Sequence, residues 1–226
     1  AEATNPKASA IKNTDEWKRL EPVLEYISSN KNKWSKQDIQ ISLDTRNYQT
    51  FEKALKYNCI DILNDVSGLT NPSMQNLVKD SQIKAVYMHS LSIPAKKEII
   101  LPLDKDPVEE VYNWGKLQLE NLTNLGIKKE NLIFDPGIGF GKNSIQSLKL
   151  IQNLSIFKDL DIDLLLGHSR KSWLNQFVDE YKTRLKSDSG PEKPRALSDT
   201  QIKDKLTMES SSLSVDADIL RVHVFI

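Results

Sequence analysis

Cysteine is nearly missing from this 226-residue chain, with Cys59 the single example. That excludes an internal disulfide framework, and the position of Cys59 in the apolar run Cys59 to Leu63 reads as a buried thiol in a reducing compartment. Histidine is scarce too, three in all, and neither the histidines nor the cysteine show metal-ligand spacing, so no structural zinc is expected. Charge of one sign is lacking. Thirty-one Lys and Arg balance thirty-one Asp and Glu, which leaves no long-range field to favour nucleic acid or an acidic membrane surface. No apolar run approaches the roughly 18 residues that span a bilayer, and Ala1 to Lys7 lacks the basic-then-apolar order of a signal peptide. These absences predict a soluble, cytoplasmic protein that binds small molecules, with no nucleic-acid or membrane partner. There is no internal repeat and no low-complexity tract.

What is present is a set of short apolar runs separated by helical segments. Six runs carry strand signals: Ile39 to Asp44, Ile60 to Asn64, Ile83 to Met88, Asn131 to Asp135, Asp163 to Gly167 and Asp218 to Val224. Near-continuous apolar segments of this length suit parallel strands covered on both faces. Between them, Asn13 to Ser28 carries Trp17, Leu20, Leu24 and Ile27 on one helical face. Asn13 and Glu16 stand at capping-box spacing, and Pro22 is expected to bend the helix. The segment Pro107 to Leu125 has the clearest limits, with Asp106 as cap, Pro107 at the first position and Gly126 past the end. Two loops, Leu91 to Asp104 and Lys186 to Arg195, carry turn composition and are expected to be mobile.

Alternating strands and helices imply a parallel α/β sheet, open or closed. The polar residues favour closure. Asp44, Asn64 with Asp65, His89, Asp135, His168 with Ser169, and Arg221 with His223 all stand at strand ends, and a TIM (β/α)8 barrel gathers such ends at one rim. Such a barrel has eight strands and about 250 residues, so the chain is expected to be a single barrel domain over residues 1–226, incomplete at both termini.

Three local patterns carry chemistry. Asp135-Pro136-Gly137-Ile138-Gly139-Phe140-Gly141-Lys142 follows a strand, and its glycines allow a tight turn close to a ligand while the carboxylate can accept two hydrogen bonds from a planar heterocycle. A plain glycine-rich turn capped by Asp135 is the competing reading. Gly167-His168-Ser169-Arg170-Lys171-Ser172 opens a helix with amides, hydroxyls and cations, an anion site or a solvated basic helix start. In Arg221-Val222-His223, alternation puts two cationic side chains on one strand face, where an anion would suit them. Asp44 could instead cap the helix near Asn47, Asn64 with Asp65 could shape the turn to Gly68, and His89 could be core.

In order along the chain, Ala1-Glu2-Ala3-Thr4-Asn5-Pro6, Ser42-Leu43-Asp44-Thr45, Leu63-Asn64-Asp65-Val66, Tyr87-Met88-His89, the Asp135 to Lys142 loop, Ser169-Arg170-Lys171 and Arg221-Val222-His223 resemble the motifs of dihydropteroate synthases. The resemblance implies condensation of 6-hydroxymethyl-7,8-dihydropterin pyrophosphate with 4-aminobenzoate, giving 7,8-dihydropteroate and pyrophosphate in folate biosynthesis. It implies catalytic roles for Asp44, Lys171, Arg221 and His223, and a pterin site of Asp44, Asn64, Met88, Asp135 and Lys171. Thr4, Asn5, Arg221 and His223 would hold pyrophosphate, and Pro6, Phe140, Arg170, Lys171 and Ser172 would line the 4-aminobenzoate site, which sulfonamides would share. It also implies Mg2+, held through an Asn of a first strand that lies outside this sequence, a homodimer, and fusion to another folate-pathway enzyme as one arrangement of the longer chain. Asn5 stands where the family usually has Arg, and Val224 where it often has Asp. A pterin-binding methyltransferase of the same fold and a non-catalytic barrel scaffold are the alternatives.

Overall fold

The computed structural model describes residues 12–35, 39–167, 174, 177 and 219–220. The element order is α1 (Asn13–Ser29), α2 (Lys31–Ser35), β1 (Ser42–Asp44), α3 (Tyr48–Leu55), β2 (Ile62–Asp65), α4 (Pro72–Ser81), β3 (Lys84–Met88), α5 (Pro107–Asn124), β4 (Leu132–Asp135), α6 (Ser144–Gln152), β5 (Asp163–Leu165) and β6 (Ile219–Leu220). Every pairing is parallel, and the sheet runs β1-β2-β3-β4-β5-β6. Strand order without reversal is the arrangement of a barrel wall, since a doubly wound sheet reverses at a switch point. Among the described residues these six strands form an arc in which β1 and β6 do not pair.

Local chemistry sets the helix limits. Asp106 accepts from the Val108 amide at 2.9 Å, Pro107 occupies the first turn of α5, and Gly126 at φ +92° ends it, with Gly126 N donating to Thr123 O at 2.9 Å and Ile127 N to Leu122 O at 3.2 Å. This double closure past a left-handed glycine ends the helix within one residue of the expected place. Asn143 and Gln146 form a full capping box at the start of α6. At α1 the expected box is absent: Lys12 is the N-cap residue, with no side-chain cap, and the helix continues through Pro22 to Ser29.

Two apolar layers follow from strand alternation. Leu43, Leu63, Ala85, Tyr87, Leu132, Phe134 and Leu164 face the helices and pack with Phe51, Met74, Val111, Leu150 and Phe157 in the main core. Ile62, Val86, Ile133 and Leu165 form a separate cluster on the opposite face, the barrel interior. Burying each such side chain contributes roughly 1.5–3 kcal/mol. The strands are shorter than expected, with β1 starting at Ser42 rather than Ile39, because the approach is held by other bonds: Ile41 N donates to the Asp61 carboxylate at 2.7 Å. The expected mobile loop Leu91 to Asp104 is a series of turns, and Lys186 to Arg195 lies outside the described residues.

Candidate functional site

The interior face carries the chemistry at its C-terminal rim. Asn64 lies two residues past Ile62, Met88 two past Val86 and Asp135 two past Ile133, so all three continue the inward face of β2, β3 and β4. Asp44 joins them as the register partner of Asn64. With strands about 4.8 Å apart, Asp44 and Asp135 are separated by about 14 Å along the arc. That is room for a planar bicyclic ligand between them.

Burial raises the pKa of the Asp44 carboxyl, and a hydrogen bond from the Asn64 side chain works against that rise. Each of the two still holds a buried oxygen without a partner, Oδ1 of Asp44 and Oδ1 of Asn64. An unsatisfied buried acceptor costs about 1–3 kcal/mol. Both oxygens can therefore accept a further hydrogen bond. Asp135 is 4 % exposed, and its Oδ1 accepts from Gly137 N at 2.7 Å.

The loop after β4 is built around one glycine and one lysine. Gly137 has φ +66°, and a β-carbon there would overlap the His89 carbonyl oxygen, so only glycine fits. Phe140 N donates to Gly137 O at 3.0 Å, and Gly141 O accepts from Leu101 N at 2.9 Å. The buried Lys142 ammonium lies 2.8 Å from Phe140 O, 3.0 Å from Gly137 O, 3.3 Å from His89 O and 2.8 Å from His89 Nδ1. Phe140 is half-buried beside this knot.

Some expected rim residues face elsewhere. His89 is adjacent to the inward Met88 and so points into the helix layer, edge-on to Trp114 with ring centroids 5.0 Å apart. Burial, and then the Lys142 charge, depress its pKa to about 2. Asp65 likewise turns outward and shapes the turn to Gly68, its Oδ1 accepting from Ser67 N and Oγ at 2.8 and 2.6 Å; Asn64 takes no part in that turn. Asn47, not Asp44, caps α3.

Two polar residues named in the sequence reading have roles that escaped it. Lys142 is one. The other is Glu16, 3 % exposed, which accepts from Thr45 Oγ1 at 2.9 Å, Thr50 Oγ1 at 2.7 Å and Asn47 Nδ2 at 3.2 Å and so ties α1 to the loop following Asp44. A signal for it existed: Glu16, Leu20 and Leu24 recur every four residues on the buried stripe of α1. Thr4, Asn5, Pro6, Arg170, Lys171, Ser172, Arg221 and His223 lie outside the described residues, as do His168 and Ser169. Among the described residues no three His, Cys, Asp or Glu side chains gather as a metal site. No described helix is long and apolar enough to cross a membrane.

The family model described as pterin binding enzyme matches residues 1–223. A folate synthesis bifunctional protein of Chlamydia muridarum is 37% identical over 180 residues, covering 77% of this chain and 39% of that protein. A dihydropteroate synthase of Neisseria meningitidis serogroup C is 32% identical over 181 residues, covering 79% of this chain and 61% of its own. The chain thus spans under two thirds of the length of either relative. Among solved structures, a dihydropteroate synthase from Anaplasma phagocytophilum with bound 6-hydroxymethylpterin-monophosphate is 28% identical with a TM-score of 0.79, covering 99% of this chain and 80% of that one.

Proposed function

The chain belongs to the pterin-binding enzyme family, and from that premise we propose that it is the barrel of a dihydropteroate synthase, condensing 6-hydroxymethyl-7,8-dihydropterin pyrophosphate with 4-aminobenzoate. The observation that carries the reading is the pair of unpartnered inward acceptors on Asp44 and Asn64, facing the same interior as Asp135. A pterin presents N–H donors along its pyrimidine edge, and these acceptors want donors. In this reading Asn64 and Asp135 take that edge, with Met88 against the ring. As the carbon–oxygen bond to pyrophosphate breaks, positive charge grows on the pterin beside Asp44, and a fixed carboxylate there stabilises it. The amine nitrogen of 4-aminobenzoate then forms the new bond to the methylene carbon and loses its proton.

Lys171, Arg221 and His223 complete the catalytic set, with Thr4, Asn5, Arg221 and His223 on the departing pyrophosphate. Pro6, Phe140, Arg170, Lys171 and Ser172 receive 4-aminobenzoate. Bifunctional relatives support a barrel that works inside a longer, fused protein. Calorimetric titration of the full-length protein with 6-hydroxymethylpterin tests the site. Asp135→Asn replaces one acceptor by a donor facing donors, and a loss of about 1–3 kcal/mol is expected. Unchanged affinity would remove Asp135 from the pterin site.

A further inference from the structure

Lys142 has no role in the scheme above, yet it is 5 % exposed and its ammonium is the meeting point of two rim segments. Three of its contacts are backbone carbonyls, Gly137 O and Phe140 O from the glycine-rich loop and His89 O from the end of β3. Another is His89 Nδ1 at 2.8 Å: an ammonium only donates, so Nδ1 accepts, and burial, which holds the His89 pKa well below its usual value, favours the neutral ring this requires. A His that is neutral with Nδ1 accepting carries its proton on Nε2, so Nδ1 is free to take the Lys142 N–H. Charge-assisted hydrogen bonds of this kind are about twice as strong as neutral ones. Carbonyls drawn onto one cation cannot open independently, so the curl between Gly137 and Phe140 is fixed.

We propose that Lys142 is a positioning residue that sets substrate selectivity at the rim, holding the Phe140 ring as one wall of the arylamine site without touching either substrate. The proposal rests on the assignment of Phe140 to 4-aminobenzoate. The Asp135 backbone is held by the β3–β4 ladder, in which it pairs with Met88, and by His89 N donating to Asp135 O at 2.9 Å, and its carboxylate accepts from Gly137 N at 2.7 Å, so the Gly137 end of the loop stays anchored when Lys142 is lost. Loss of Lys142 therefore separates the two substrates: the arylamine wall loosens while the pterin anchor stays.

The test uses the full-length protein with Lys142→Ala and Lys142→Met, the latter keeping length without a donor. In both, KM for 4-aminobenzoate is expected to rise at least tenfold while calorimetric affinity for 6-hydroxymethylpterin stays within about threefold. Ethylammonium, which can place an N–H cluster in the space left by Lys142→Ala, should recover a large part of that loss; tetramethylammonium, equally charged without N–H, should not. Hydrogen exchange supplies a readout independent of turnover. The amides of Phe140 and Leu101 should exchange faster in both variants, with those of Gly137, α4 and α5 unchanged. A KM for 4-aminobenzoate within twofold of wild type in folded Lys142→Met, equal losses for both substrates, or unchanged exchange at Phe140 overturns the proposal. Should the wild-type protein form no dihydropteroate, the functional reading falls, while the exchange arm still decides whether Lys142 fixes the loop.

Discussion

Replacing Gly137 by Ala is the most severe single-methyl change the site offers. At φ +66° a side-chain-bearing residue costs about 1–2 kcal/mol in backbone strain. The new methyl would overlap His89 O, which cannot easily retreat: His89 N is bonded to Asp135 O at 2.9 Å, and the same carbonyl lies 3.3 Å from Lys142 Nζ. The loop must move instead, breaking the 2.7 Å bond from Gly137 N to the Asp135 carboxylate, a charged hydrogen bond in the range of about 1.5–3 kcal/mol. Together these give a destabilisation of about 3–5 kcal/mol, or a displaced loop with pterin affinity lost. Gly126→Ala is the control. Its φ of +92° imposes similar backbone strain, but the methyl first meets the flexible end of Lys79 at 3.3 Å, so only about 1–2 kcal/mol is expected. Urea unfolding of the two variants, read at constant m-value, with pterin calorimetry alongside, makes the comparison. If Gly137→Ala cost no more than Gly126→Ala, the argument that His89 O dictates this glycine would be wrong.

Asp44→Asn should stabilise the unliganded protein at pH 7 while weakening pterin binding, because the raised pKa of Asp44 means that ionising it in place opposes folding. The sign fixes the pH course: the advantage should shrink as pH falls through the raised folded value and vanish below the unfolded value near 4, and thermal midpoints that showed no such convergence would contradict it. His89 behaves oppositely, since its pKa falls from 6.5 to about 2 on folding, so its contribution is full above pH 6.5 and is lost progressively below it. Between pH 7 and 5 wild type should lose about 2 kcal/mol relative to His89→Asn, whose amide oxygen can replace Nδ1 as acceptor; parallel urea midpoints for the two proteins would refute this. Glu16→Ala leaves the Thr45, Thr50 and Asn47 donors without their acceptor and should cost on the order of 3 kcal/mol in chemical denaturation, whereas a loss under about 1 kcal/mol would mean that water replaces the carboxylate freely.

The parts that sequence reading located well are those written in local chemistry. Asp106, Pro107 and Gly126 bracket α5 because capping and a left-handed end are short-range requirements. The apolar runs located the strands, but they could not give the phase of alternation. In Ala85 to Met88 both faces are apolar, so nothing local says whether Met88 or His89 looks into the barrel; Val86 in the interior cluster decides it, and His89 goes to the helices. The same ambiguity separated Asn64 from Asp65. Apolar runs also fit an open or a closed sheet; the polar strand ends favoured closure, and the uninterrupted strand order agrees with it. Glu16 shows local spacing overruled by packing: the capping-box geometry was available with Asn13, but the buried stripe of α1 carried the carboxylate to Thr45 and Thr50 instead.

The central claim is most directly tested by supplying the full-length protein with 6-hydroxymethyl-7,8-dihydropterin pyrophosphate, 4-aminobenzoate and magnesium and measuring pyrophosphate and 7,8-dihydropteroate together. The account predicts the two products in equal amounts, dependent on 4-aminobenzoate and sharply reduced in Asp135→Asn. Pterin binding with neither product formed, or pyrophosphate release that ignores 4-aminobenzoate, would contradict it.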